Sequence, residues 1–186
     1  MELRYEKIID LSYTVDEKSP CELPIEPANI YDTATIEEEG YFEGRVDMSG
    51  HYSTHIDTPS LMYAEGYKVN EIPTQKFHGF VTLVNLSEIK EPGDEVSLDE
   101  IKAWEDKNGD IPEGNIVFMR TGMGDLAYQE IFNQKWIGLS GDAAEYLCQK
   151  KIKIIGTDAS SIDSLAGHEI DCPAPVSYTH LTLPTN

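Results

Sequence analysis

Apolar residues recur along this chain in short alternating or clustered runs, separated by polar and proline-containing stretches. Ile8-Ile9-Asp10-Leu11-Ser12 is short and rich in apolar and β-branched residues, which predicts a first strand. Residues 19–40 hold Pro20, Pro24 and Pro27 and little periodicity, so an extended loop or arm is expected there. Phe42 to Met48 alternates roughly, and Phe80-Val81-Thr82-Leu83-Val84-Asn85-Leu86 is a β-branched strand pattern. Ser97-Leu98-Asp99-Glu100 has the spacing of a capping box and predicts a helix from there to about Lys107. Asn115-Ile116-Val117-Phe118-Met119-Arg120 predicts a buried-type strand ended by Thr121-Gly122. Ser140 can cap a helix from about Gly141 to Lys150, with Ala143, Ala144, Leu147 and Cys148 on one side. Lys151 to Asp158 predicts one more strand. Strands and helices are interspersed, with no internal repeat and no dividing linker, so the expected class is α/β (α+β) in a single domain.

One polar stretch interrupts this pattern with chemistry. Gly50-His51-Tyr52-Ser53-Thr54-His55-Ile56-Asp57-Thr58-Pro59-Ser60-Leu61 puts two imidazoles and a carboxylate within seven residues. Gly50 and Pro59 disfavour a helix, Thr54, Ile56 and Thr58 are β-branched, and Thr58 precedes a proline, so the stretch is expected to be extended. In a strand alternate residues share a face, which would point His51, Ser53, His55 and Asp57 the same way. His51 and His55 at i and i+4 would also form a metal pair on a helix, but the local composition argues against one. Two imidazoles and one carboxylate suit Zn²⁺, Mn²⁺ or Fe²⁺. Three protein ligands leave coordination positions open, where a water can bind and lose a proton near neutral pH.

Size and charge narrow the possible partners. A chain of 186 residues is long enough for one proper core. Its 14 Lys and Arg against 34 Asp and Glu give a net charge of −20, which repels phosphate backbones and anionic lipid. No nucleic-acid or membrane partner is therefore expected, and a small-molecule substrate is. Glu37-Glu38-Glu39, the densest acidic run, is expected to be a solvated loop. Cys21, Cys148 and Cys172 are odd in number and widely spaced, which indicates neither a disulfide framework nor a zinc knuckle. The first residues lack the apolar core of a signal peptide, so a cytoplasmic setting is the expectation.

The segment His51-x-Ser53-Thr54-His55-x-Asp57-x-Pro59 resembles the HxGTHxDxPxH signature of the cyclase-like metal hydrolases, which include bacterial kynurenine formamidase. Asp10-Leu11-Ser12, Phe77-His78-Gly79, Arg120-Thr121-Gly122, Gly138-Leu139-Ser140, Gly156-Thr157-Asp158 and Ser161-Ile162-Asp163 are similar to further family segments and fall in the expected order. The first motif is specific; the others carry weight only together. The resemblance implies a swivelling β/β/α fold, a homodimer or higher homo-oligomer, and hydrolysis of an amide, such as the arylformamide of N-formylkynurenine, by a metal-activated water. It also carries His51, His55 and Asp57 over as ligands of one or two divalent metals, most simply zinc, with Asp57 able to bridge to a second ion.

Two departures from the pattern bear on that expectation. Position 61, where the family motif has a catalytic histidine, is Leu61, and Ser53 replaces a glycine. Leucine neither accepts nor donates a proton, so the catalytic residue is unassigned, with Tyr63, Glu65 or His78 as substitutes, or the metal hydroxide unaided. The change also opens two other readings, hydrolysis of another cyclic amide, lactone or imide, and a non-catalytic metal-binding relative. A purely structural interaction domain fits the acidic surface but leaves the two-histidine, one-carboxylate pattern unexplained. Cys172-Pro173-Ala174-Pro175 is similar to the family's late loop, after which a ligand histidine and a glutamate follow in the family. Here Val176 to Thr185 is instead what GTC TCT TAT ACA CAT CTG ACG CTG CCG ACG encodes, which resembles a transposase-type sequencing-library adapter. The expectation is a cyclase-like domain over 1–175, incomplete at its C-terminus, and a non-native tail over 176–186. No ligand role is carried onto His180, and His168 is expected to be an exposed loop residue.

Overall fold

The computed structural model describes residues 6–21 and 25–165. It divides into two compact units, Met1–Ile56 and Asp57–Asn186. In the first, β1 (Asn29–Ala34) and β2 (Glu43–Asp47) form an antiparallel hairpin that sets Ile30 opposite Val46 and Tyr31 opposite Arg45. The proline-containing stretch 19–40 is thus not an arm throughout, because β2 offers its second half a pairing partner. Between the strands lies a single helical turn, α1 (Ile36–Glu39). The Thr35 hydroxyl accepts from the Glu38 N–H, the Glu39 carboxylate accepts from the Thr35 N–H at 2.8 Å, and Gly40 ends the turn at φ +79°. The acidic run is therefore exposed but helical rather than a loop; three carboxylates sit at a helix N-terminus, where the dipole favours them.

The strand expected at 8–12 does not form. Ile8, Ile9 and Leu11 are 76%, 62% and 78% exposed, and a β-prone run becomes a strand only where another strand completes its ladder.

In the second unit, β3 (Val81–Asn85) leads to a two-residue strand, β4 (Glu95–Val96), and then to α2 (Leu98–Asn108). Ser97 and Glu100 make the expected reciprocal cap at the start of α2. Next come β5 (Ile116–Arg120), a helical turn α3 (Ile131–Gln134), β6 (Gly138–Leu139), α4 (Gly141–Gln149) and β7 (Ile154–Thr157). The Ser140 hydroxyl accepts from the Ala143 N–H, capping α4 as its sequence predicts. Strands β3, β5 and β7 form a parallel sheet in that order, and β4 pairs in parallel with β6. The mixed α/β class read from the sequence is the one observed.

Val84, Val117 and Met119 are buried on the sheet, with Ile101 of α2 and Ala143, Ala144 and Leu147 of α4 buried as well. The opposite side of the sheet carries Val81, Leu83 and Phe118, all partly exposed. Phe118 lies over Gly156 so closely that a Cβ there would come within 2.5 Å of the ring. Packing of α2 on α4 also buries a polar group. The Glu105 carboxylate accepts from the Ile111 N–H at 2.7 Å, from the Lys150 ammonium and from the Tyr146 hydroxyl. Among the described residues no helix is long and apolar enough to cross a membrane.

Candidate metal centre

The motif at 51–57 is a loop rather than a strand, which corrects the extended reading of its backbone. The turn around Ser49 begins it: the Ser49 hydroxyl accepts from the His51 N–H at 3.2 Å and the Ser49 carbonyl from the Tyr52 N–H at 3.3 Å. Tyr52 is 2% exposed and anchors the segment, its hydroxyl donating to the Asp16 carbonyl at 2.6 Å. Ser53 then turns left-handed, at φ +58°. Thr54 ties the segment to the N-terminal stretch, its hydroxyl accepting from the Tyr13 N–H at 3.0 Å. From Thr58 the chain enters a 3-10 turn, Pro59–Leu61, with proline at its start where a missing N–H costs nothing.

Alternation therefore does not align the three candidate ligands; the left-handed turn does. One donor atom each from His51, His55 and Asp57 lie within 4.8 Å of one another. The two imidazoles meet edge to face, with ring centroids 5.3 Å apart. His51 is half-buried while His55 and Asp57 are exposed. Donors of a tetrahedral zinc ion bound at about 2.0–2.1 Å lie about 3.3 Å apart, so side-chain rotations would have to draw these three closer to place them on one ion. Two imidazoles and a carboxylate in a solvent-accessible loop fit a divalent cation with open coordination positions.

Ser53 occupies this turn at a cost. The left-handed region is unfavourable for a residue with a Cβ by about 1–2 kcal/mol. Its hydroxyl is also buried with no hydrogen-bond partner among the described residues. Glycine relieves both, less the entropy it adds to the unfolded chain. Ser53→Gly is expected to stabilise the protein by about 1 kcal/mol in urea denaturation; a loss of stability would contradict the strain assigned here.

The other residues singled out by sequence lie as follows. Leu61 closes the 3-10 turn four residues after Asp57 and is 43% exposed. Tyr63 is half-buried and Glu65 exposed. His78 is exposed, and its carbonyl accepts from the Lys153 ammonium at 2.9 Å. Cys172, His168, His180, the loop at 172–175 and the tail at 176–186 lie outside the described residues.

The structure joins two weak motifs that the sequence left separate. The Asp158 carboxylate, just past β7, accepts from the Thr121 N–H at 2.7 Å, the Thr121 hydroxyl at 2.6 Å and the Gly122 N–H at 2.9 Å, just past β5. Gly122 has φ +92°, which turns its N–H to that carboxylate at little cost. Their shared place at the C-terminal edge of adjacent parallel strands was the available signal, but pairing β5 with β7 requires the topology.

A model of the Cyclase family, described as "Putative cyclase", matches residues 9–164. Kynurenine formamidase of Bacillus cereus is 29% identical over 128 residues, which covers 69% of this chain and 56% of the relative. Isatin hydrolase of Roseibium aggregatum is 32% identical over 131 residues, covering 60% of this chain and 49% of that one. The chain thus spans about half the length of the curated relatives it matches. The solved structure of isatin hydrolase A from Labrenzia aggregata is similar with a TM-score of 0.81 at 25% identity, over 94% of this chain and 75% of that one.

Proposed function

The chain belongs to the cyclase family, and on that premise we propose that it serves a metal-dependent hydrolase that opens an amide bond, with an arylformamide of the N-formylkynurenine type as substrate. The observation that carries the reading is the convergence of His51, His55 and Asp57 within 4.8 Å on one short loop. These three would hold the cation, of which zinc suits the donor set best, with manganese or iron as alternatives. When bound, such a cation supplies Lewis-acid polarisation of a carbonyl and a water acidic enough to attack it. The exposure of His55 and Asp57 gives a small molecule access to that side of the loop. A second ion, which Asp57 would help to hold, and a homodimer or higher homo-oligomer belong to the same proposal.

Leu61 bears on which amide is opened. In the family motif this position carries a histidine, and general acid–base catalysis is worth about 10²–10⁴-fold, roughly 3–5 kcal/mol of barrier. Leucine supplies none of it and presents an apolar side chain, 43% exposed, just after the ligand loop. That favours a second reading, hydrolysis of a cyclic amide such as isatin, the substrate named for two of the relatives. The test pairs metal analysis with hydrolysis of an arylformamide and of isatin by wild type and Leu61→His. The arylformamide rate is expected to rise at least about tenfold in the variant. An unchanged formamide rate beside turnover of isatin would select the second reading. Bound metal with no turnover of either would leave a non-catalytic metal-binding relative.

A further inference from the structure

We infer that Ser53 is a positioning residue for the metal loop: its left-handed backbone presents the carbonyl that fixes His55 as the Nδ1–H tautomer and leaves Nε2 as the atom that binds metal. The inference rests on the metal reading above and extends it to a residue that is not itself a ligand. Ser53 has φ +58°, and its carbonyl oxygen lies 2.8 Å from Nδ1 of His55. A carbonyl oxygen has no proton to give, so Nδ1 must be the donor. In a neutral imidazole the lone pair then resides on Nε2. The contact spans only two residues, and it forms because the backbone reverses at Ser53 rather than running on as a strand. In an extended segment a carbonyl points sideways to a neighbouring strand and cannot fold back onto the side chain two positions on.

Ligand histidines held in this way, with the far ring nitrogen donating to a backbone carbonyl or carboxylate, are fixed in ring orientation and tautomer. Loss of such a partner typically weakens metal binding 10–100-fold. The device here is conformational. The serine hydroxyl does not make the contact, and the carbonyl does so only while residue 53 stays left-handed. Glycine adopts that conformation readily and a β-branched residue strongly resists it.

Two measurements test this. The first is long-range ¹H–¹⁵N spectroscopy of histidine-labelled wild-type protein, with His55→Ala to assign the signal, before and after addition of Zn²⁺ alone. The His55 ring is expected as the Nδ1–H tautomer in both states, with the Nε2 signal shifting on Zn²⁺ addition. The second is Zn²⁺ affinity by chelator competition. Ser53→Gly should bind within about twofold of wild type, and Ser53→Val 10–100-fold more weakly. An Nε2–H tautomer, zinc on Nδ1, or wild-type affinity in a folded Ser53→Val overturns the inference while sparing the metal site. Should Ser53→Val not fold, the wild-type spectra decide. If wild type binds no Zn²⁺ at all, the metal reading fails first and the positioning role with it.

Discussion

Asp57→Ala is expected to lower Zn²⁺ affinity by more than about 100-fold, or about 2.7 kcal/mol, while leaving the fold intact. Asp57 supplies the only carboxylate of the three-residue group, and without it two neutral imidazoles must hold a dication alone. The side chain is exposed, so its removal opens no cavity in the core. Any hydrolase activity should fall in step with the metal. Chelator competition and bound-metal analysis of the purified variant provide the check. Unchanged affinity would mean that the histidines and carboxylate are neighbours without being a site, and the interaction-domain reading would then gain.

A comparably large effect is expected far from that loop. Glu105→Ala should cost about 3–5 kcal/mol in urea denaturation, nearer the lower figure because the Lys150 side chain keeps 19% of its surface exposed. The substitution leaves an ammonium, a phenol and the Ile111 N–H without their shared acceptor between α2 and α4. Burial alone would raise the Glu105 carboxyl, but hydrogen bonds from Lys150, Tyr146 and the Ile111 N–H outweigh it and hold the pKa below its ordinary value. A carboxyl lowered in this way contributes fully above the unfolded glutamate range, about pH 4.3, and its contribution drains as the pH falls through the folded value. For Lys150, burial opposes the charge and the Glu105 contact prevails, raising the ammonium pKa. Its share is complete below about pH 10.4 and fades at higher pH. Wild type should therefore lose stability relative to Glu105→Ala on acidification below about pH 4, and a difference between the two that is flat from pH 7 to pH 3 would remove the carboxylate from this account.

The parts of the fold that local chemistry dictates could be read directly from the chain. The Ser97–Glu100 cap, the Ser140 cap and the apolar side of α4 each depend on residues within a few positions of one another, and β3, β5 and β7 are dense β-branched runs. The misreadings share one cause, the absence of information about partners. Ile8, Ile9 and Leu11 look like strand residues but join no ladder among the described residues, whereas Asn29–Ala34 looks irregular until β2 pairs with it. At the candidate site the three candidate ligands stand within seven residues in the sequence, but the geometry that gathers them was not legible. Alternation from His51 to Asp57 suggested a strand, and one left-handed serine replaces that strand with a loop. The tie from Asp158 to Thr121 and Gly122 was beyond reach for a similar reason, since nothing in sequence says which strand ends are adjacent.

All three donors of the candidate site sit on seven consecutive residues, so even a denatured chain keeps them within about 15 Å of one another. A site assembled from distant segments vanishes on unfolding, and its ion then stabilises the native state by nearly its whole binding free energy. Here the ion can follow the chain into the denatured state, and only the difference between the two affinities acts on folding. If the turn at Ser53 is the whole of that difference, about 10–100-fold, saturating cation adds about 1.4–2.7 kcal/mol. The cation would thus be a tenant of one loop, biasing folding by about 10–100-fold rather than by its whole binding free energy.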